Sequence, residues 1–337
     1  MTGIPPTAPT VPAPRAMRRV FVTGATGTIG RATVRALARR GHEVVCFVRR
    51  RARVDAVHLP DGVSVRTGDV GDPGSLARDG FRGERFDAVI SCLASRTGVP
   101  GDAWAVDHRA HVHLLEAAQQ AGVGHFVLLS AICVQKPRLA FQHAKLAFER
   151  QLVASGLRYS IVRPTAFFKS LSGQVGRVQR GKPFLVFGDG TGTACKPISA
   201  GDVADYLVGC LDDADRWERV LPIGGPGAAI TPWQQGELLF ALLGRPPRFT
   251  HVPVQLLDGI VAALGAVGRV ARPLAAKAEL ARIGRYYATE SMLVWDDRAG
   301  RYDADATPSF GCDTLADHYR ALLQGTATAD LGEHAVF

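Results

Sequence analysis

The sequence predicts an α/β fold in which a doubly wound parallel sheet is joined to a smaller C-terminal α+β region. Two observations in the 337-residue chain support this prediction. Short, continuous apolar runs alternate with helical patterns through the first half of the chain, and a glycine-rich turn follows the first run. Continuous apolar runs are typical of strands that are buried on both faces, and the intervening helices connect such strands into a parallel sheet.

Six segments have the pattern of buried strands, namely 18–23, 43–50, 63–70, 87–94, 125–131 and 159–164. Helical periodicity is found between them, in segments 31–42, 104–122 and 141–156. After residue 165 the pattern loosens: the segment 181–199 is Gly- and Pro-rich and strand-like, whereas 201–214 and 231–244 are helical. Strands that alternate with helices of this length predict βαβ units with helices on both faces of the sheet.

The glycine-rich turn "GATGTIG" places Gly24, Gly27 and Gly30 three residues apart, between the first strand and the first helix. Gly24 permits the tight turn, Gly27 lets backbone N–H groups approach a pyrophosphate, and Gly30 allows close packing of helix on strand. The helix N-terminus adds a favourable potential for the phosphates. This context predicts a Rossmann-type dinucleotide site, and we expect Thr26, Thr28 and Ile29 to line it.

The second strand ends in Arg49 and Arg50, with Arg51 and Arg53 just beyond and no acidic residue until Asp55. An acidic residue at this point would favour NAD, whereas guanidinium groups pair well with a 2′-phosphate. We therefore predict NADPH, with a solvated basic loop as the alternative. Further cofactor-lining residues are expected at the ends of the later strands: Asp69, Val70, Leu93, Ala94, Ser130, Pro164 and Phe167.

The segment "SAICVQKPRLAFQHAKLAFE" resembles the catalytic segment of a short-chain reductase, in which a Tyr lies four residues before a Lys. Lys145 is present, but Phe141 stands at the tyrosine position. Lys145 is one of only six lysines against 34 arginines, and five of the six fall within residues 136–196, which suggests positions that need a compact ammonium group. Phe141 cannot act as an acid, so either the chain is not a reductase or its substrate needs no tyrosine.

Composition limits the other function classes. The net charge of +9 suits an anionic ligand, and since the basic residues are scattered apart from 49–53 we expect no nucleic-acid partner. Six widely spaced cysteines without a Cys-x-x-Cys pair argue against a metal or iron–sulfur site and for reduced cytosolic thiols. The apolar segment 252–276 is too charged to span a bilayer, which leaves a buried helix, a lid or an interfacial helix.

The chain is similar to the 3,8-divinyl (proto)chlorophyllide 8-vinyl reductases, which are NADPH-dependent atypical short-chain reductases of the NmrA-like type. The resemblance rests on "GATGTIG" and "LLSAICVQKP" near the site, and on "SIVRPTAFFKSL", "GKPFLVFGDG", "IGRYYATESMLV" and the terminal "LGEHAVF". It implies that the three glycines hold the pyrophosphate, that Arg49 meets the 2′-phosphate and that Lys145 is the reductase lysine. The Phe at position 141 departs from the wider superfamily and removes a Tyr–Lys proton relay.

The resemblance further implies a tetrapyrrole substrate. We expect Phe141, Phe167 and Phe168 to line the macrocycle pocket, with core packing as the alternative for each aromatic residue. Lys169 or Arg285 is expected to pair with the substrate propionate. Solvent, Lys145 and Tyr286 are the candidate proton donors, in that order, and Tyr287 is expected to be a buried structural residue.

The predicted organisation has three parts: a Pro-rich disordered tail over 1–17, an NADPH-binding domain over 18–165 and a substrate-binding region over 166–337. The Arg-, Ala- and Gly-rich composition predicts a bacterial cytoplasmic protein with at most peripheral membrane contact. Three other functions stay open at this point. They are an NADP-binding sensor without turnover, a structural subunit of a large complex, and an isoflavone-reductase-like enzyme that acts on a phenolic double bond.

Overall fold

Seven parallel strands form one central sheet, in the order β3-β2-β1-β4-β5-β6-β8. This computed structural model describes residues 16–50, 60, 62–268 and 272–327, with only the backbone described over 266–268 and 272–275. The strands of the sheet are β1 (Arg19–Thr23), β2 (Glu43–Arg49), β3 (Val63–Gly68), β4 (Ala88–Ser91), β5 (His125–Leu129), β6 (Arg158–Pro164) and β8 (Arg219–Ile223). The chain order reverses between β1 and β4, and ligands of such sheets bind at this point, beyond the carboxyl ends of the strands.

Both faces of the sheet are covered, which explains the continuous apolar runs. Val20 and Val22 of β1 face one core layer, which also contains Leu37 of the first helix, and all three side chains are fully buried. Phe21 lies between them and faces the opposite layer, where it stacks on Phe81 with ring centroids 4.3 Å apart. Successive side chains of a strand point to opposite faces, so a strand between two layers is mostly apolar on both of its faces.

Helices and single turns connect the strands. The α-helices are α1 (Thr28–Arg39), α2 (Pro73–Ser75), α3 (Pro100–Ala103), α4 (His111–Gln120), α5 (Ala140–Ala154), α6 (Phe168–Leu171), α7 (Val175–Gln179), α8 (Ala200–Gly209), α9 (Pro232–Leu242), α10 (Val254–Gly268), α11 (Arg272–Thr289) and α12 (Leu315–Leu323). Segments Leu76–Phe81 and Trp104–Ala110 are π-helical, and Ile132–Gln135 and Ala214–Arg216 are 3₁₀ turns.

All six predicted strands are present, with ends that differ by up to three residues. The seventh strand, β8, was not predicted, because Pro222 interrupts its short apolar run. It pairs with β6 at the edge of the sheet, where a proline is tolerated. The sheet therefore takes one strand from beyond residue 165, the boundary predicted from sequence, and α8 packs against α1 on the same face.

The rest of the chain builds a smaller region of short elements. Strands β7 (Phe184–Phe187) and β9 (Phe249–Val252) form a parallel pair, and β10 (Val294–Asp296) and β11 (Arg301–Asp303) form an antiparallel pair. Only β7 realises the strand pattern predicted over 181–199. Most of the predicted tail and the terminal "LGEHAVF" lie outside the described residues.

Helices α10 and α11 are consecutive in the chain and pack against each other, forming the α10–α11 hairpin. The buried-helix interpretation of segment 252–276 is not what α10 shows, since Leu256 is 55% and Ile260 is 41% exposed. Within the described parts of the chain, no helix combines the length and the hydropathy that crossing a bilayer requires.

Candidate active site

The glycine turn joins β1 to α1 in the way that the sequence predicts. Gly24 has a φ of +73°, and a Cβ at this position would overlap the carbonyl group of Cys92 after β4. A Cβ at Gly30 would overlap the Gly24 carbonyl oxygen, so both glycines are required by close backbone approach. At Gly27 the nearest contact of a Cβ would be 3.4 Å away, so this residue borders open space.

The N-terminus of α1 suits a negatively charged group. Its N-cap, Gly27, provides no side-chain hydrogen bond, and the first turn carries no acidic residue. Backbone N–H groups at a helix start therefore lack an anionic partner from the turn itself, and Thr26, Thr28 and Ile29 are all at least partly exposed there. These features fit the pyrophosphate of a dinucleotide, the ligand that the motif predicts.

Two arginines follow the second strand in the structure. Arg49 is the last residue of β2 and is exposed. Arg50 forms an ion pair with Asp79, with an Nη2–Oδ2 distance of 3.3 Å, and its side chain is 71% exposed. Arg51 and Arg53 lie outside the described residues. Arg49 is thus the described arginine whose position at the end of β2 matches the predicted contact with a 2′-phosphate.

The remaining predicted cofactor residues lie at or near the carboxyl edge of the sheet. Asp69 and Val70 follow β3, Leu93 and Ala94 follow β4, Pro164 ends β6, and Phe167 lies in a bridge with Ile198. Ser130 follows β5, but its hydroxyl group donates to the buried carboxylate of Glu149, which also pairs with Arg163. The Ser130 hydroxyl is therefore engaged by a buried carboxylate within the protein, and its contact with the cofactor stays a prediction.

Lys145 is held by a buried carboxylate that sequence analysis did not identify. Its Nζ lies 2.9 Å from Asp107 Oδ1, and the two side chains are 11% and 0% exposed. The same Oδ1 accepts a hydrogen bond from the backbone N–H of Ser95, at 3.3 Å. Asp107 Oδ2 is buried without a hydrogen-bond partner among the described residues. This charge-assisted contact fixes the position of the lysine ammonium group.

A separate chain of hydrogen bonds lies next to this pair and links His111 to the sheet. His111 lies one turn after Asp107, and its Nε2 is 2.9 Å from Ser91 Oγ, which in turn accepts from the Thr23 hydroxyl. The other ring nitrogen of His111 is 2.9 Å from the Val106 carbonyl oxygen. Burial, with a further contribution from Lys145, lowers the pKa of His111 to about 4, so the ring is neutral near pH 7.

Phe141 lies one helical turn before Lys145 on α5, as predicted. Its ring is partly buried beside an apolar cluster that includes Ile132, Ile283 and Tyr286. Gly98 lies close by, since a Cβ on it would be 3.6 Å from Phe141 Cδ1. The tyrosine position of the reductase motif is therefore surrounded by apolar groups.

Four residues predicted to contact the substrate are placed differently. Phe168 is buried in the core, where its ring packs on His318 with centroids 5.4 Å apart. Arg285 forms an ion pair with Asp258 across the α10–α11 hairpin. Lys169 donates from Nζ to Thr28 Oγ1, at 3.1 Å, which places it at the glycine turn. None of these three contacts was visible in the sequence, because each joins segments that are distant along the chain.

Tyr286 is the fourth such residue. Its hydroxyl group donates to the carbonyl oxygens of Cys133 and Lys136, at 3.0 and 3.2 Å, and the side chain is 4% exposed. Burial raises the pKa of the phenol well above its ordinary value. Tyr286 is therefore the buried structural tyrosine of "GRYY", whereas Tyr287, expected to be buried, is 41% exposed.

Asp107 could have been found from its pattern. It lies in the helical segment 104–122, where it occupies a buried position between residues that face the core. A charged residue at a buried position is rarely found without a partner, and such a residue near a motif lysine marks a candidate ion pair.

Comparison with known proteins shows which family the chain resembles. A family model described as NAD(P)H-binding matches residues 24–214. The divinyl chlorophyllide a 8-vinyl-reductase of Zea mays, a chloroplastic protein, is 48% identical over 96% of this chain and 84% of its own length. That of Oryza sativa subsp. indica is 50% identical over 94% of this chain and 82% of its own length. The NADPH-bound quinone oxidoreductase QOR2 of Escherichia coli has the same fold, with a TM-score of 0.63, 20% identity, and coverage of 90% of this chain and 99% of its own.

The prediction of a bacterial cytoplasmic protein is wrong. It is contradicted by the vinyl reductases of Zea mays and Oryza sativa, which are chloroplastic proteins. The prediction came from an Arg-, Ala- and Gly-rich composition, and composition describes solubility and charge without specifying the compartment.

The resemblance inferred from the sequence motifs is confirmed, and so are the parallel α/β fold and the NADPH cofactor. The identity to the plant enzymes extends over nearly the whole chain, well beyond the segment that the NAD(P)H-binding model covers. The chain belongs to the divinyl chlorophyllide a 8-vinyl-reductase family of NAD(P)H-dependent oxidoreductases.

Proposed function

We propose that the protein reduces the C8 vinyl group of divinyl chlorophyllide or divinyl protochlorophyllide to an ethyl group with NADPH. The observation that carries the proposal is the pair of Lys145 and Phe141 on α5, in a chain that belongs to a family of vinyl reductases. The motif lysine is kept and firmly held, whereas the residue one turn before it has no proton to donate. This combination suits reduction of a carbon–carbon double bond.

The chemistry of the substrate explains why a tyrosine is dispensable. When bound, NADPH supplies a hydride. Reduction of a carbonyl group builds negative charge on one oxygen and profits from an adjacent acid. Addition to the terminal carbon of a vinyl group that is conjugated to a tetrapyrrole spreads the charge through the macrocycle. The proton can then come from water, so the demand on the protein is mainly to position the vinyl group.

Different residues of the chain bind the cofactor phosphates and orient the nicotinamide ribose. The turn with Gly24, Gly27 and Gly30 receives the pyrophosphate, and Arg49 meets the 2′-phosphate. Lys145 orients the nicotinamide ribose, and its contact with Asp107 keeps the ammonium in one place. Thus the buried carboxylate acts on the reaction through the lysine, as a positioning residue.

On the substrate side, we place the macrocycle against Phe141 and the neighbouring apolar cluster. A flat aromatic ring packs well on a flat apolar ligand, and the surroundings of Phe141 contain Ile132 and Ile283. Tyr286, the last of the three candidate proton donors, is disfavoured because its hydroxyl group already donates to backbone carbonyls. Water is the donor that we propose.

An anaerobic absorbance assay tests the function. Purified protein is mixed with divinyl chlorophyllide or divinyl protochlorophyllide, and NADPH and NADH are supplied in parallel. We expect a blue shift of the Soret band with NADPH, faster for one of the two pigments. Lys145→Met should abolish the shift, whereas Lys182→Met, at an exposed position far along the chain, should leave it intact. Tight NADPH binding without any shift would contradict the proposal and favour a nucleotide sensor.

A further inference from the structure

Lys169 occupies a position that its predicted role does not explain. It follows β6 on the short helix α6, and its Nζ lies 3.1 Å from the hydroxyl oxygen of Thr28, which is 141 residues away in sequence. Thr28 is the first residue of α1, directly after Gly27. The ammonium group of Lys169 therefore lies at the N-terminus of the helix that receives the pyrophosphate.

The backbone around Lys169 is held in place on both sides. The N–H of Phe168 donates to the Ile198 carbonyl oxygen at 3.1 Å, and the Ser172 hydroxyl donates to the Phe168 carbonyl oxygen at 2.8 Å. The Phe168 side chain is buried in the core, 6% exposed. This anchoring fixes the direction from which Lys169 reaches the turn, so its proximity to Thr28 follows from the packing of α6.

The electrostatics of the turn favour an anion close to this ammonium. The first turn of α1 has no acidic residue, and its N-cap has no side-chain hydrogen bond. Arg31 adds a second cation, since its Nη1 donates to the Thr26 carbonyl oxygen at 2.9 Å. Two cations and a helix N-terminus around one glycine turn favour the pyrophosphate of a dinucleotide, which carries two negative charges.

We propose that Lys169 binds the pyrophosphate of the dinucleotide and not the propionate of the substrate. The proposal deepens the proposed function and rests on it only for the identity of the dinucleotide. An ammonium group has three N–H donors and binds phosphate as a compact charge, so a contact with the Thr28 hydroxyl and one with a phosphate oxygen are compatible. Lys169 therefore contributes to the binding of both NADPH and NADH. Arg49 contributes only to the binding of NADPH, through the 2′-phosphate.

Cofactor binding without pigment provides the test. Nicotinamide fluorescence is titrated for the unmodified protein, Lys169→Met, Lys169→Arg and the exposed control Lys182→Met, with NADPH and with NADH. We expect Lys169→Met to raise both dissociation constants by a similar factor, roughly tenfold, and Lys169→Arg to recover part of the loss. The control should bind as the unmodified protein does, and the thermal midpoint without nucleotide should be the same for all variants.

Two results would overturn the proposal. Unchanged nucleotide affinity in Lys169→Met together with weaker pigment binding would return the lysine to the propionate. Unchanged affinity for both ligands would assign it a purely structural contact with Thr28. Because the readout is nucleotide binding, a protein that binds NADPH through Lys169 but does not reduce the vinyl group would refute the proposed function and leave this inference standing.

Discussion

The nucleotide side and the substrate side of this molecule differ in how their contacts are distributed along the chain. The turn from Gly24 to Gly30 is built from seven consecutive residues, and its geometry is determined by close backbone contacts. The surroundings of Phe141 instead combine α5 with Gly98 and with Ile283 and Tyr286 of α11, which are two other parts of the chain. The geometry of a local motif can be predicted from its sequence. The geometry of a surface composed of distant segments is seen only in the folded structure.

The largest effect that we predict is at the local motif. Gly24→Ala places a Cβ into the Cys92 carbonyl at a positive φ, so it should lower the free energy of unfolding by about 4 kcal/mol. Gly27→Ala is the matched control, since its Cβ meets nothing nearer than 3.4 Å. Urea unfolding of Gly27→Ala should show only a small change in the free energy of unfolding. Nucleotide titration of the same variant should show weaker NADPH binding. Equal stability losses in the two variants would contradict the role of close packing at Gly24.

The next effect concerns the buried pair behind the motif lysine. Asp107→Asn leaves the Lys145 ammonium without its carboxylate in a site where both side chains are nearly inaccessible, so we expect a loss of about 3 kcal/mol in unfolding free energy. The turnover number should fall as well, because the lysine is no longer held. Glu116→Gln, on the exposed face of α4, is the control and should change neither quantity. A stable Asp107→Asn variant with normal turnover would refute the positioning role.

The same contrast explains what the sequence could predict. The six strands and the glycine turn followed from local apolar runs and spacing, because strands buried on both faces are mostly apolar. Strand β8 escaped prediction, since five residues with a proline carry too weak a pattern. Lys169 or Arg285 was expected at the propionate, yet Lys169 contacts Thr28 and Arg285 pairs with Asp258. A cation in a sequence does not reveal which distant partner folding brings to it.

Acidification should lower the free energy of unfolding through two buried histidines in the nucleotide-binding half of the molecule. Burial lowers the pKa values of His111 and His125 to about 4, from 6.5. The unfolded chain therefore takes up protons first as the pH falls through 6.5, and the folded state loses relative stability until about pH 4. Each histidine should contribute up to about 3 kcal/mol to this loss. Urea unfolding between pH 7 and 4 measures it, and an unchanged slope in His111→Gln would remove His111 from this explanation.

A smaller effect separates the two arginines after β2. Arg49→Ala should raise the dissociation constant of NADPH roughly tenfold and leave that of NADH unchanged, because only NADPH carries the 2′-phosphate. Arg50→Ala is the matched comparison, since Arg50 is paired with Asp79 and largely exposed, so it should raise the dissociation constant of NADPH by less and leave that of NADH unchanged. Fluorescence titration of the two variants with both nucleotides decides between them. Equal losses for NADPH and NADH in Arg49→Ala would contradict the assignment to the 2′-phosphate.

The smallest expected effect is at Phe141, and it sharpens the comparison most. Phe141→Tyr restores the phenol of the reductase motif one helical turn before Lys145, in an apolar setting beside Ile283. If charge that develops during vinyl reduction is delocalised in the macrocycle, an added acid stabilises little, so the rate of the Soret shift should stay within about twofold of the unmodified protein. A rate that rises tenfold or more would show that a positioned acid does limit the reaction, and that the phenylalanine is retained for packing against the pigment at the expense of rate.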